Sequence, residues 1–246
     1  MILRRVTEHV KAQNWFAVGI DFLIVIVGVF IGIQVANWNA TRLERLEESA
    51  IVERIRSDFA RIKEDSARSL AFHVGLTEDL KTLVRALRSG AIEVGDEEAI
   101  ERALLLGITF QTSADHSGTF VELLSSGRAN ILRDKELLNE LVAYEDFLRR
   151  FSVGQGYFID MTMAVIVPYT SAFQYAVDAS FFTDDLQLNT EDPAIADYDF
   201  TAMAADPAFQ NAAEQLVFIH SLYSMWHRRI DRRIESIQLQ LSGDTP

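Results

Sequence analysis

Three histidines are the residues of this sequence whose type and spacing could hold a metal ion. His220 and His227 are seven residues apart and so share one face of a helix, and His73 lies on a second helical pattern. Imidazole nitrogens are common zinc ligands, so a bundle interior could gather all three around one ion. No Glu-x-x-His pair accompanies them, which argues against a di-iron carboxylate bundle. We interpret them as core residues that hydrogen-bond across the bundle, with a metal site as the alternative.

Asp115, His116 and Ser117 supply the side-chain types of a hydrolase without its usual spacing. Consecutive residues rarely converge on one point, and no Gly-x-Ser-x-Gly elbow, P-loop, Rossmann fingerprint or EF-hand is present. The absence of cysteine excludes disulfides, thiolate metal sites and cysteine nucleophiles. The sequence therefore predicts no catalytic residue and no cofactor, and it favours a protein that is not an enzyme.

The histidines belong to two long apolar patterns with alternating spacings of three and four, which is typical of helices that pack together. The first pattern includes Val52, Ile55, Phe59, Ile62, Ser66, Ser69, His73, Leu76, Leu80, Leu83 and Leu87. The second begins at Asp206 as N-cap and Pro207 as the first helical residue, and includes Phe209, Ala213, Leu216, His220, Tyr223, His227, Ile230, Ile234, Ile237 and Leu241. We predict an all-α bundle whose long first and last helices are antiparallel.

Shorter helices are predicted between the two patterns, over 96–106, 119–126, 134–150 and 155–176. Thr119 and Glu122 form a capping-box pattern at the start of the second of these, and Gly127 is its predicted stop. The apolar run 161–167 is too short to span a bilayer and is interpreted as core. The acidic stretch 183–206 is predicted to be a loop with at most a short turn of helix.

An apolar segment near the start predicts a membrane anchor. From Trp15 to Ala36 there are 22 residues, about 33 Å as a helix, with Asp21 as the only charge. The favourable free energy of inserting the apolar side chains of this segment into the bilayer outweighs the cost of inserting that carboxylate. No small-x-small signal-peptidase pattern follows, so we expect an uncleaved span. The predicted organisation is a basic head over 1–14, a transmembrane helix over 15–38 and an all-α extramembrane bundle over 39–246. The helix either continues past the membrane or restarts at the capping-box pair Thr41 and Glu44.

Small residues line one face of this span. Gly28 and Gly32 form a G-x-x-x-G pattern that Ala36 extends, and Asp21 lies seven residues before Gly28 on the same face. Close-packing residues beside an intramembrane carboxylate predict that spans associate there. The alternative is that the glycines are ordinary for such helices and that Asp21 is shallow enough to contact headgroup water.

The charge distribution bears on topology and partners. The chain has a net charge of −13, whereas residues 1–14 contain Arg4, Arg5 and Lys11 against Glu8. A basic head favours a cytoplasmic N-terminus at the bacterial inner membrane, with the body in the periplasm, although four arginines soon after the span nearly balance it. The acidic body would repel phosphates, so nucleic acid is not an expected partner. The expected partners are the lipid bilayer and either a second copy of the chain or another membrane protein.

Two stretches, VGIDFLIVIVGVFIGIQVANWN near the start and TFVELLSSGRANILRDKELLNELVAYED from Thr119 to Asp146, together resemble an uncharacterised family of bacterial membrane proteins, a domain of unknown function. Members of that family have a span with an early acidic residue and a Gln-x-x-Asn-Trp-Asn ending, and a later Ser-Ser-Gly. The matching residues are Asp21, Gln34, Asn37, Trp38, Asn39, Ser125, Ser126 and Gly127. The motifs cover about a quarter of the chain and the layout covers all of it. The resemblance implies membrane anchoring and a helical body, and it implies no activity.

The Ser125–Arg128 turn is a second candidate site after the span. Gly127 suits the left-handed residue that ends a helix, and Ser125 and Ser126 can bind either the last carbonyls or a ligand. Arg128 would present charge there, although helix termination is the simpler interpretation. Taken together, the sequence favours a single-pass membrane protein that acts through protein contacts, as an oligomeric scaffold or an accessory subunit. A ligand-binding extracytoplasmic bundle is the alternative, and a metal-dependent enzyme comes third.

Overall fold

A computed structural model describes residues 15–113, 115–177, 180 and 195–243. Its helices are α1 (Trp15–Ser89), α2 (Glu97–Leu106), α3 (Gly118–Ser125), α4 (Lys135–Thr170), α5 (Phe200–Ala205) and α6 (Pro207–Ser242), with a 3-10 turn at Ala129–Ile131. Strands β1 (Phe173–Tyr175) and β2 (Ile195–Tyr198) form a small antiparallel ribbon. The fold is therefore all-α apart from this ribbon, as the helical periodicity predicts.

Helix α1 is 75 residues long and contains the predicted span. An 18-residue window of it reaches a mean hydropathy of 2.5 and has no buried residue, so α1 is long and apolar enough to cross a membrane. The helix continues without interruption through Thr41 and Glu44, so of the two predicted alternatives the structure has the continuous helix and not the restart. Contacts divide the chain into two compact units, Met1–Glu53 with Asn130–Arg133, and Arg54–Ala129 with Asp134–Pro246.

The core of the second unit lies along the two predicted apolar patterns. Every α1 position of the first pattern from Ile55 onwards is buried, whereas Val52 is half-buried. All ten positions of the second pattern are buried on α6. Gln238 donates to the carbonyl of Phe59 at 3.2 Å, and Arg88 bonds Glu214 at 2.8 Å. Low numbers on α1 meet high numbers on α6, so the two helices are antiparallel as predicted.

Helix α4 differs from the sequence prediction because it is a single helix where two were expected. It runs through Gly154 and Gly156 and contains Pro168 near its end. A helix-interior glycine costs about 1 kcal/mol relative to alanine. Phe151 and Phe158, on either side of the glycines, both pack on the ring of Tyr223 on α6, with centroids 5.8 and 5.3 Å away. Burial of these aromatic rings outweighs the local glycine penalty.

The run 161–167 is only partly core, which corrects its prediction. Thr162 and Val165 are buried, whereas Met163 and Val167 are 60% and 70% exposed. In the stretch 183–206, the short helix α5 corresponds to the predicted turn of helix, whereas β2 was not predicted. Residues 183–194 lie outside the described residues. Short strands of three and four residues give too little alternation for a sequence pattern to reveal them.

Candidate functional site

The candidate association face of the span is open along its whole described length. Gly28, Gly32 and Ala36 are exposed, and a β-carbon added at either glycine would meet no atom within 4 Å. At 100° per residue, these three residues and Asp21 lie within about 80° of one another around the helix. One carboxylate oxygen of Asp21, Oδ2, is shielded from solvent and has no hydrogen-bond partner among the described residues. A polar group in this state on a close-packing face suits a donor from a neighbouring helix.

The Gln34–Asn39 motif follows directly on the same helix, and its residues are exposed. The guanidinium carbon of Arg42 lies 6.0 Å from the centroid of the Trp38 ring, one helical turn away. Aromatic rings and snorkelling cations are typical of the boundary between hydrocarbon and headgroups. The contact of Trp38 with Arg42 agrees with the predicted membrane boundary, whose position stays a prediction. Gln34, Asn37 and Asn39 are exposed on the same helix.

Arg133 lies next to α1 shortly after this motif. Its guanidinium bonds Glu44 at 3.1 Å and Glu48 at 3.4 Å, and its backbone N–H donates to Glu48 at 2.7 Å. Three contacts from one residue hold the 130–133 segment against α1, although exposed ion pairs each add at most about 1 kcal/mol. Sequence reasoning did not identify Arg133, because its partners are more than 80 residues away.

The Ser125–Arg128 turn ends helix α3 in the way that the structural interpretation expects. The hydroxyls of Ser125 and Ser126 both donate to the carbonyl of Glu122, at 3.0 and 2.8 Å. Gly127 has a left-handed φ of 69°, and the backbone N–H of Arg128 donates to Leu123 at 2.9 Å. This is the Schellman pattern of helix termination. Both serine hydroxyls are thus used by helix carbonyls, and neither points to a ligand.

The three histidines are brought together in the core between α1 and α6. His73 and His220 face each other through their Nδ1 atoms at 3.0 Å. The Nε2 of His73 lies 3.1 Å from the carbonyl of Gln111, and the Nε2 of His220 lies 2.9 Å from that of Gly107. Two neutral imidazoles have two N–H groups for these three contacts, so one contact lacks a proton. His73 and His220 thus contact the two ends of the Gly107–Gln111 segment through its carbonyl groups.

His227 is also fully buried, and neither ring nitrogen has a hydrogen-bond partner among the described residues. Its ring packs 4.7 Å from that of Tyr223 and 5.6 Å from that of Phe151. Burial, together with the neighbouring His220, lowers the pKa of His73 to about 3. Burial also lowers the pKa values of His220 and His227 to about 4. All three rings are therefore neutral at neutral pH. The described residues include no group of three His, Asp or Glu side chains placed to hold a metal ion.

Asp115, His116 and Ser117 do not assemble into a catalytic group, because each has a different partner. Asp115 accepts a hydrogen bond from Ser113, and burial raises its pKa to about 6. His116 Nδ1 lies 2.8 Å from a carboxylate oxygen of Glu145, whereas Ser117 donates to Asp58 at 2.8 Å. The three side chains consequently have structural partners in three directions.

Asp58 on α1 is a structural residue that sequence reasoning missed. Its Oδ2 accepts from the Ser117 hydroxyl and, at 3.0 Å, from the backbone N–H of Thr119. Ser117 in turn accepts from Phe120 as the N-cap of α3, so the predicted cap at Thr119 is wrong by two residues. Burial alone would raise the pKa of Asp58, but these hydrogen bonds hold it below its ordinary value. A carboxylate at a helix N-terminus also suits the helix dipole.

The chain has no match among protein-family models, curated proteins or solved structures, so the resemblance carried by the span and the Ser125–Arg128 turn stays a prediction.

Proposed function

We propose that this chain is a single-pass membrane protein that acts through protein–protein contacts, as an oligomeric scaffold or an accessory subunit of a membrane complex. The observation that supports it most is the open span face on α1, with Gly28, Gly32 and the carboxylate of Asp21, whose Oδ2 has no hydrogen-bond partner in the part of the chain that the structure describes. Lipid tails satisfy no hydrogen bond, so a helix that presents both a close-packing groove and a carboxylate gains from a partner helix.

The proposed location is the inner membrane of a bacterium, with the N-terminus in the cytoplasm and the body in the periplasm. The basic residues of the head support this orientation. The same continuous helix that forms the span provides the Ile55–Leu87 positions of the bundle core. In a protein built this way, a partner that binds the span is linked by one helix to the bundle, and no catalysed reaction is required.

Cysteine crosslinking in native membranes tests the proposal directly, because the chain has no cysteine of its own. We expect Gly28→Cys and Gly32→Cys to form disulfide-linked dimers or to capture a membrane partner. Phe30→Cys is the matched control, since residue 30 lies on the opposite side of the same helical turn. Only monomer at all three positions, with no captured protein, would overturn the proposal.

A further inference from the structure

The C-terminal half of α4 presents an apolar face to solvent that no described residue covers. Val153, Tyr157, Met163 and Val167 are between 60% and 77% exposed. Asp160 is the one charged residue among the exposed positions of 151–170. We call Val153, Tyr157, Asp160, Met163 and Val167 the α4 stripe. Successive members are three or four residues apart, so they lie on one side of the helix.

The α4 stripe is symmetric about Asp160. A valine lies seven residues before it and another seven after it, and a large side chain lies three residues away on each side. Small exposed residues, Gly156 and Ala164, lie four away on each side. A two-fold interface uses the same patch on both subunits, so it requires self-complementarity. Two stripes match size with size whether the helices run parallel or antiparallel, and Asp160 meets its counterpart at the axis in both cases.

The size of the stripe also favours a second copy. Its exposed apolar side chains amount to very roughly 500 Å², which is within the range of patches that are often functional. A stable interface between freely diffusing proteins buries about 800 Å² on each partner. The stripe alone falls short of this, but copies anchored side by side have effective concentrations of about a millimolar. A partner already held nearby is thus the occupant that such a surface can bind.

We infer that the α4 stripe is a second self-association surface, which packs against the same stripe of another copy and places the two Asp160 residues at the axis. The inference rests on the proposed function, since the span contact provides the proximity. Like charges at the axis weaken the contact, so Asp160→Asn should strengthen it. A different protein that placed a basic residue opposite Asp160 would lose affinity on the same substitution, which separates the two occupants.

The first test is crosslinking of the full chain in native membranes. We expect Asp160→Cys to yield disulfide-linked dimer at least tenfold above Asn139→Cys, an exposed control position on the same helix outside the stripe. Equal yields from the two variants, or capture of a different protein at Asp160→Cys, would overturn the inference.

The second test places Asp160→Asn and Met163→Arg separately in the Gly28→Cys background. The dimer fraction reported by the span should rise several-fold with the first substitution and fall with the second. A fall with Asp160→Asn would contradict self-association. If Gly28→Cys crosslinks and Asp160→Cys does not, the α4 stripe is not a self-association surface but the proposed function stands. If neither variant crosslinks, the proposed function is contradicted as well.

Discussion

At the scale of single residues, the three buried histidines make the stability of the fold depend on pH. Their pKa values lie at about 3 to 4 in the fold, against an ordinary value of about 6.5 in an unfolded chain. The unfolded chain therefore binds more protons below pH 6.5. Stability from these residues is complete above that pH and is lost as the pH falls towards 4. Asp115, whose pKa is raised to about 6, acts in the opposite direction and gains a proton in the fold.

We predict that the unfolded chain binds about two more protons than the folded chain between pH 6 and 4.5. The free energy of unfolding should therefore fall by roughly 3 kcal/mol for each pH unit in this range. Urea unfolding of the full chain in detergent at several pH values measures this. His227→Phe should reduce the slope by about one proton and leave stability at pH 7.5 equal or higher, because it replaces a buried polar ring without described partners. A slope that His227→Phe leaves unchanged would show that this ring does not titrate between the two states.

Asp58 is the second residue with a specific expected effect. We predict that Asp58→Ala destabilises the bundle by about 1 to 3 kcal/mol, because the N–H of Thr119 and the hydroxyl of Ser117 lose their shared acceptor. Asp65→Ala is the control on the same helix, since it removes an ion pair with the exposed Arg68 and no cap, and should cost about 0.5 kcal/mol or less. Urea unfolding at pH 7.5 compares the two, and equal losses would contradict the capping role.

At the scale of elements, the long helices were predictable and their junctions were not. The positions from Ile55 to Leu87, and those of α6, repeat often enough that burial follows from periodicity alone. The continuity of α4 depends instead on distant contacts of Phe151 and Phe158 with Tyr223, which no local pattern contains. The Asp58 carboxylate that accepts from Ser117 was missed for the same reason, because it is 59 residues away, although the Ser117 cap on Phe120 is itself a local contact.

The candidate sites show the same division. Gly127 ends helix α3 as its residue type and position predict. Gly28 and Gly32 are exposed on α1, and association through them stays a prediction. The histidines were expected to hydrogen-bond across the bundle. The Nδ1 atoms of His73 and His220 lie 3.0 Å apart across it, whereas His227 has no hydrogen-bond partner in the described part of the chain. Their carbonyl partners at Gly107 and Gln111 depend on the path of a connecting segment, which sequence spacing does not specify.

The continuity of α1 beyond the membrane boundary is a testable property of one element. Spin labels at cysteines replacing Gln34 and Ala50, both exposed, should give a narrow distance distribution near 24 Å, because sixteen residues rise about 1.5 Å each. Ala40→Pro should broaden and shift it, since an interior proline removes a hydrogen bond and costs about 3 kcal/mol. Ala40→Ser is the control. A broad distribution without the proline would indicate a break at Thr41.

At the scale of the whole molecule, the proposed topology depends on a narrow balance of charge. Arg4, Arg5 and Lys11 precede the span, whereas Arg42, Arg45, Arg54 and Arg56 follow it within about 20 residues. Basic residues on either side of a span compete to stay in the cytoplasm. The ion pair between Arg54 and Glu122 forms only in the folded bundle, so it does not weaken that competition during insertion.

We predict that paired reporters fused after Pro246, one active only in the periplasm and one only in the cytoplasm, place the body outside the inner membrane. Because the balance is narrow, Arg42→Glu with Arg45→Glu should make this orientation uniform, whereas Arg4→Glu with Arg5→Glu should move a large fraction of the body to the cytoplasm. Lys135→Glu, which lies much later in the sequence than the segments flanking the span, is the control and should change nothing. A cytoplasmic signal from the unmutated chain, which Arg42→Glu with Arg45→Glu shifts towards the periplasm, would assign the body to the cytoplasm. Association of spans through Gly28 does not depend on this orientation, but any partner of the body would then have to be a cytoplasmic protein.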